Sequence, residues 1–431
     1  MTHHSRRSFF CAGLGALVAA ASSPARLAWA ERGPGSAPAP SPKLGRSPAR
    51  RCVVLYMQGG ASQIDTFDPK PGRPTGGEFR AIESSVSGLR VSEHLPELAA
   101  RMHQLSLVRT LSYREGNHQR ARYLMHTGFI PQGGVVHPGF GAHLARASAA
   151  VDGAPPALPP AVSLNGPGQA PGYLGASWSA FTVPDARAEV RNLAPPTAIP
   201  DARVARRAQT WRALETHFAA DHHSAQVAGA RALGERAITM SAAPELAAFD
   251  LSRESAASRA RYGADDSRFG AGCLMARRLL ESGVDFVEVG MNGWDTHEDN
   301  FSQVRGLSAQ LDRAAAALID DLVASGLWSE TVLVWAGDFG RSPTINARGG
   351  RDHFPAISSV LLGGGPIRAG QVVGETDPEG REILDRQVSV PDLFATLSAA
   401  LGVEADEVHI SAGGRPVTTV DEAGTAITEL L

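Results

Sequence analysis

Three short polar clusters in the last third of the chain carry the residue types of a cation site: Trp294-Asp295-Thr296-His297, Gly337-Asp338-Phe339-Gly340-Arg341 and Gly350-Arg351-Asp352-His353. Each follows an apolar, strand-like run. Carboxylates supply anionic oxygens and neutral imidazoles supply nitrogen lone pairs, and a divalent cation that polarises a phosphate or sulfate ester is held by that mixture on a rigid scaffold. Asp295 and His297 are two residues apart, so on extended backbone both point to one side. Asp352 and His353 are adjacent, and both can reach one cation only where the backbone turns. Asp338 ends the strongest apolar run in the chain. Arg341 either pairs with Asp338 or faces a substrate anion.

The elements that position these clusters are legible as apolar runs. Cys52-Val53-Val54-Leu55-Tyr56-Met57 is continuous and ends in Gly59-Gly60, which marks a buried parallel strand followed by a tight turn. Similar runs recur at 105–108, 285–289, 331–335 and 358–362. Between them lie helical patterns, the clearest over 307–327, with Leu307, Leu311, Ala315, Leu318 and Leu322 on one stripe and Asp312, Asp320 and Asp321 beside it. Strand and helix in alternation predict a doubly wound, mostly parallel α/β sheet flanked by helices, whose ligands sit beyond the carboxyl ends of the strands. The polar clusters fall there. No internal repeat is visible. The middle, about 155–264, is Pro/Ala-rich and then helical, and reads as an insertion or lid.

The chain has 431 residues, 43% hydrophobic, with 41 basic and 44 acidic side chains and a net charge of -3. That length accommodates a large core. Interspersed charge of near-zero sum offers no basic field, which excludes a nucleic-acid partner. At the N-terminus, Ser5-Arg6-Arg7-Ser8-Phe9-Phe10 precedes an uncharged stretch and Ala28-Trp29-Ala30. This is the layout of a twin-arginine export signal over 1–30 with a small-x-small cleavage site. Its apolar run is shorter than the roughly 20 residues a membrane-spanning helix needs. The predicted product is periplasmic or secreted and not an integral membrane protein. Residues 31–50, rich in Pro, Gly, Ser and Ala, read as a linker, with the folded domain over 51–431. Of three cysteines, Cys11 lies in the signal, and Cys52 and Cys273 read as two buried thiols, a single disulfide being the alternative.

The stretch from Gly59 to Pro71 (Gly-Gly-Ala-Ser-Gln-Ile-Asp-Thr-Phe-Asp-Pro-Lys-Pro), the Trp-Asp-Thr-His at 294–297 and the Gly-Asp-Phe-Gly-Arg-Ser-Pro at 337–343 resemble the bacterial family labelled domain of unknown function 1501. Cys273 to Glu281 fits the same pattern. The resemblance runs from about Arg51 to the C-terminus. The family is grouped with the alkaline phosphatase and sulfatase superfamily, which implies that fold. In that superfamily a Ser, or a Cys converted to formylglycine, lies ten residues before the Gly of a helix-ending Thr-Gly. Here Thr127-Gly128 places His118 at that point. No hydroxyl or thiol stands there and the sulfatase Cys-x-Pro-Ser-Arg pattern is absent, which argues against a formylglycine sulfatase. His118 is therefore a candidate nucleophile, metal ligand, substrate contact or structural hydrogen-bonding group. Arg122, one helical turn on, shares its face and could hold an anionic oxygen.

The superfamily's ligands transfer only in part. It uses an acid at the end of the first strand, where this chain has the neutral Gln58. Asp65 is the candidate substitute if its loop folds back, with capping of the turn before Asp68-Pro69 as the alternative. The metal set implied is Asp65, Asp295, His297, Asp338, Asp352 and His353, and zinc, manganese or calcium is compatible with it. His217, His222 and His223 read as solvated. Two functions follow: a metal-dependent hydrolase acting on an anionic ester or glycan-type substrate, and an envelope binding or scaffold protein that keeps the fold without catalysis.

Overall fold

The computed structural model describes residues 48–152, 157–196 and 198–431. The signal expected over 1–30 and nearly all of the linker lie outside them. The folded part starts slightly before Arg51: Ala49 is already buried and its N–H donates to the Ala400 carbonyl.

The central sheet holds nine strands: β1 (Arg51–Met57), β4 (Leu105–Ser112), β5 (Ala161–Leu164), β6 (Phe181–Val183), β7 (Phe286–Met291), β8 (Thr331–Gly337), β11 (Ser358–Gly363), β12 (Val372–Val373) and β15 (Val388–Ser389). Four two-stranded ribbons lie outside it, formed by β2 (Ala81–Glu83) with β3 (Arg90–Ser92), β9 (Gly340–Ile345) with β10 (Arg351–Phe354), β13 (Glu375–Thr376) with β14 (Ile383–Asp385), and β16 (Val408–Ile410) with β17 (Pro416–Thr418). The order across the main sheet is β12-β4-β11-β8-β1-β7-β5-β6, with β15 beside β4. β1, β7 and β8 are buried on both faces, as continuous apolar runs require. The fold is α/β with a mostly parallel sheet. Only β11 runs against its neighbours. It follows β8 through the β9–β10 ribbon with no crossover helix, so the chain re-enters the sheet from the edge where β8 left it.

The helices are α1 (Pro96–Arg101), α2 (His118–Thr127), α3 (Phe140–Asp152), α4 (Asp201–Asp221), α5 (Ala225–Ser241), α6 (Ala256–Tyr262), α7 (Arg268–Glu281), α8 (Asn300–Ala324) and α9 (Val390–Leu401). The long amphipathic pattern is α8, which starts seven residues before the predicted Leu307 and buries Leu311, Ala315, Leu318 and Leu322. Asp312, expected beside the stripe, is buried: it accepts the N–H groups of Glu97 at 2.9 Å and Leu98 at 2.7 Å and so caps α1. Burial pushes its carboxyl up to about 6, against the pull of those two N–H groups.

Two observations revise the middle segment. The span 155–264 is not wholly helical, because β5 and β6 extend the central sheet. The four-residue run Ala-Val-Ser-Leu among prolines is too short to be read as a strand from its own pattern. The helical part comprises α4, α5 and α6, and α4 buries none of its residues. Among the described residues no helix is long and apolar enough to cross a membrane. Cys52 and Cys273 are both buried and free, and burial pushes both thiols up.

Candidate metal centre

Asp338 follows the last residue of β8 and is fully buried. The Tyr56 hydroxyl donates to its Oδ1 at 2.6 Å and the Gly59 N–H to its Oδ2 at 3.1 Å. His118 Nδ1 lies 2.7 Å from the same Oδ2. A carboxylate only accepts, so Nδ1 carries the hydrogen and His118 turns a bare Nε2 outward. Burial alone would push the Asp338 carboxyl up, but the hydrogen bonds from His118 and Tyr56, with the charge of Arg122, hold it below the usual carboxylate range. Asn117 caps α2 by accepting the N–H groups of Gln119 and Arg120, which fixes His118 at the first helical position. Phe339 stacks on its ring with centroids 4.8 Å apart.

Asp295 is the meeting point. Its Oδ1 stands 3.3 Å from His118 Nε2, 2.9 Å from His297 Nδ1 and 3.4 Å from His353 Nε2. His353 Nδ1 donates to the Gly116 carbonyl at 2.8 Å, so its Nε2 is also bare. Burial, with the charge of Arg341, pushes the His353 imidazole below its usual range, favouring the neutral ring that a metal requires. One donor atom from each of His118, Asp295 and His353 falls within 4.8 Å of the others. The Nε2 atoms of His118 and His353 are buried and make no hydrogen bond. Two orphaned imidazole nitrogens aimed at one carboxylate are what remains to be satisfied, and a cation satisfies all three together. The site fits a divalent metal. His297 lies outside this set of converging donors, although its Nδ1 touches Asp295 and its ring is 4.7 Å from that of His353.

Backbone geometry allows this convergence. Gly59 and Gly60 have φ of 104° and 82°, and a Cβ on either would collide with backbone, at Trp294–Asp295 for the first and at Phe339 for the second. The turn after β1 is thus the bare surface over which the other two loops close.

Not every expected residue joins. Arg341 pairs with Asp295 rather than Asp338 and is fully buried; it donates to the carbonyls of Gly59, Gly60 and Arg351, while Gln63 holds its backbone N–H and carbonyl. It does not face a substrate, and its role is to aim Asp295. Burial raises the Asp295 carboxyl, and the hydrogen bond and charge of Arg341 more than reverse this, aided by His118 and His297. Asp65 is no ligand, because it is buried in a two-pronged ion pair with Arg351 at 2.7 and 3.0 Å and accepts from Asn300 at 2.9 Å. Asp352 is not among the converging donors: it sits where the β9–β10 register shifts, is exposed, and accepts from Asn346 at 3.1 Å. Asp338 supports His118 rather than meeting the shared point. Gln58 leaves its amide against Gly290, where a side chain would collide with it. Arg122 is half-buried, and its Nε is buried without a partner. Sequence reasoning missed Tyr56, Phe339 and the Gly116 carbonyl. Only Tyr56 carried a signal, since it shares a strand face with Gln58 two residues before the end of the run.

No curated protein is significantly similar in sequence to this chain. Among solved structures, the lipoteichoic acid synthase LtaP from Listeria monocytogenes is similar at 8% identity, over 90% of this chain and 79% of that one, with a TM-score of 0.42. The PsFucS1 sulfatase from Pseudoalteromonas sp. is similar at 14% identity, over 84% of this chain and 68% of that one, with a TM-score of 0.39. The family model described as protein of unknown function (DUF1501) matches residues 49–431 and so spans nearly the whole described fold, and this chain belongs to that family.

Proposed function

We propose that this protein is a metal-dependent hydrolase of phosphate or sulfate esters. The observation that carries this reading is the pair of buried, unpartnered Nε2 atoms of His118 and His353 converging on Asp295. His118, Asp295 and His353 would hold the cation, with His297 beside them. An imidazole-rich donor set suits zinc or manganese better than calcium, which takes six to eight oxygens. A cation there supplies Lewis-acid polarisation of an ester oxygen.

The chain's own residues do the rest. Asp338, fixed by Tyr56 and Gly59, holds the hydrogen of His118 on Nδ1 so that Nε2 stays directed into the site. Arg341 keeps Asp295 ionised and in place. Arg122, one turn along α2 with an unpartnered guanidinium nitrogen, binds an anionic ester oxygen; the non-reacting part of the substrate is an anionic or glycan-type body. Metal analysis of the purified protein followed by a panel of aryl phosphates, phosphodiesters and aryl sulfates tests the reading. Bound metal near one per chain and turnover of one ester class are expected, and His118→Ala should lose metal and turnover together. Turnover that survives complete removal of metal would sink it.

A second reading, an envelope binding protein without catalysis, is favoured by Gln58 at the end of β1 and by an imidazole rather than a hydroxyl or thiol at 118. Stoichiometric metal with no turnover on the whole panel selects it.

We also propose export by the twin-arginine pathway, supported by Arg6-Arg7 and the apolar stretch after them. Changing both to Lys should leave the precursor in the cytoplasm, folded. Undiminished export of that variant would remove the proposal.

A further inference from the structure

Below the candidate metal centre, on the same face of the sheet, lies a second cavity that the proposed chemistry does not use. Register places Ser163 of β5 beside Glu288 of β7, and Glu288 beside Val54 of β1. These side chains share a face with Tyr56, two residues further along β1. Residues of α2, α3 and α9 roof this part of the sheet, and the space between leaves about 50 Å³ in which the centre of a water-sized sphere can move, open to solvent at one side.

The walls are apolar, formed by Val54, Phe140, Phe286, Val334, Phe394 and Leu397. One end is not. His126, Ser163 and Glu288 line it, 6%, 2% and 3% exposed. The Ser163 hydroxyl is buried and has no hydrogen-bond partner. His126 Nδ1 donates to the Arg122 carbonyl at 2.7 Å. Its Nε2 stands 2.8 Å from Glu288 Oε2, and although burial disfavours the charged ring, the Glu288 charge and hydrogen bond raise the imidazole above its usual range, so the two form a buried ion pair. Gln169 and Trp178, lining the same space, are only half-buried, so the cavity opens on their side. Tyr56 is the partition: its ring lies 4.3 Å from that of His126, while its hydroxyl is already committed to Asp338.

A buried serine with no partner is disfavoured where alanine would pack as well, and an orphaned hydroxyl beside a buried ion pair at the end of an apolar cavity calls for a polar partner. The charges decide its chemistry. A carboxylate would meet Glu288 and an ammonium would meet His126, whereas a neutral hydroxyl can accept from Ser163 and donate to Glu288. A single water, which occupies about 30 Å³, would satisfy the polar end and leave the apolar walls without contacts. We propose that this cavity is a binding site for a small neutral molecule with an apolar body and one hydroxyl, an aliphatic alcohol or a phenol, held separately from the metal centre.

p-Cresol and toluene, which differ by the hydroxyl, are the probes, and calorimetry on the full chain is the readout, with Trp178 fluorescence as a second signal. p-Cresol should bind saturably and about 10-fold more tightly than toluene, as one hydrogen bond to a charged or buried group implies. Ser163→Ala should reduce that ratio to about 3-fold or less with the fold unchanged by circular dichroism. Ala161→Phe, which fills the cavity, should abolish binding of both. Chelation of metal should leave p-cresol binding intact, which separates this proposal from the hydrolase reading. Equal affinity for the two probes, a ratio untouched by Ser163→Ala, binding that disappears with the metal, or no binding of either, as for a cavity holding water alone, would each overturn it.

Discussion

Asp295→Ala should weaken zinc or manganese binding by about 100-fold or more while leaving the fold intact. Changes to groups that merely orient a ligand typically cost 10–100-fold in metal affinity, and Asp295 is the one charged donor facing two bare imidazoles. Its side chain is about half exposed, so truncation opens no core cavity. The loss also strands Arg341, whose buried guanidinium keeps its three backbone acceptors but loses its only ion-pair partner among those described. Competition against a chromophoric chelator measures the affinity. Wild-type affinity in this variant would mean that the cation, if bound, sits elsewhere.

Arg351→Met should be the most destabilising single change near the site, by about 3–5 kcal/mol, because it leaves the Asp65 carboxylate buried with only Asn300 to meet it. Removing both charges together, as Asp65→Leu with Arg351→Met, should recover most of that loss, since a buried ion pair replaced by apolar groups of similar volume is often close to neutral. Urea denaturation of the two single variants and the double variant gives the coupling directly. A cost below about 1 kcal/mol for Arg351→Met would show that Asp65 is not held by the pair and would return it to the list of available ligands.

Much of this architecture was legible because burial on both faces leaves an unmistakable trace. β1, β7 and β8 are uninterrupted apolar runs, and the polar residues just past their ends, Asp295, His297 and Asp338, stand where a parallel sheet presents its ligands. His118 was placed correctly at the start of a helix by the Thr127-Gly128 that ends it. What was not legible depended on distant partners or on direction. Asp65 looks like an acid free in a loop until Arg351, 286 residues away, is brought against it. Asp352 and His353 look equivalent until the fold leaves the first exposed beside Asn346 and brings the second against Asp295. The reversal of β11 follows from a missing crossover helix and leaves its own composition unchanged. Ser163, Glu288 and His126 gave no pattern at all, being single polar residues in apolar elements.

Arg341 joins the turn after β1, the loop after β7 and the start of β10 through one guanidinium. Those segments are far apart in the chain but are also tied to one another directly, the Trp294 N–H donating to the Gln58 carbonyl and the Arg351 N–H to the Thr296 carbonyl, so none of them can swing outward while the other two keep their bonds. The donor set therefore has two conditions, assembled or dispersed, with little in between. A cation captured by one ligand gains the others at once, and the affinity of such a centre reflects the cooperativity of its scaffold as much as the strength of any single bond.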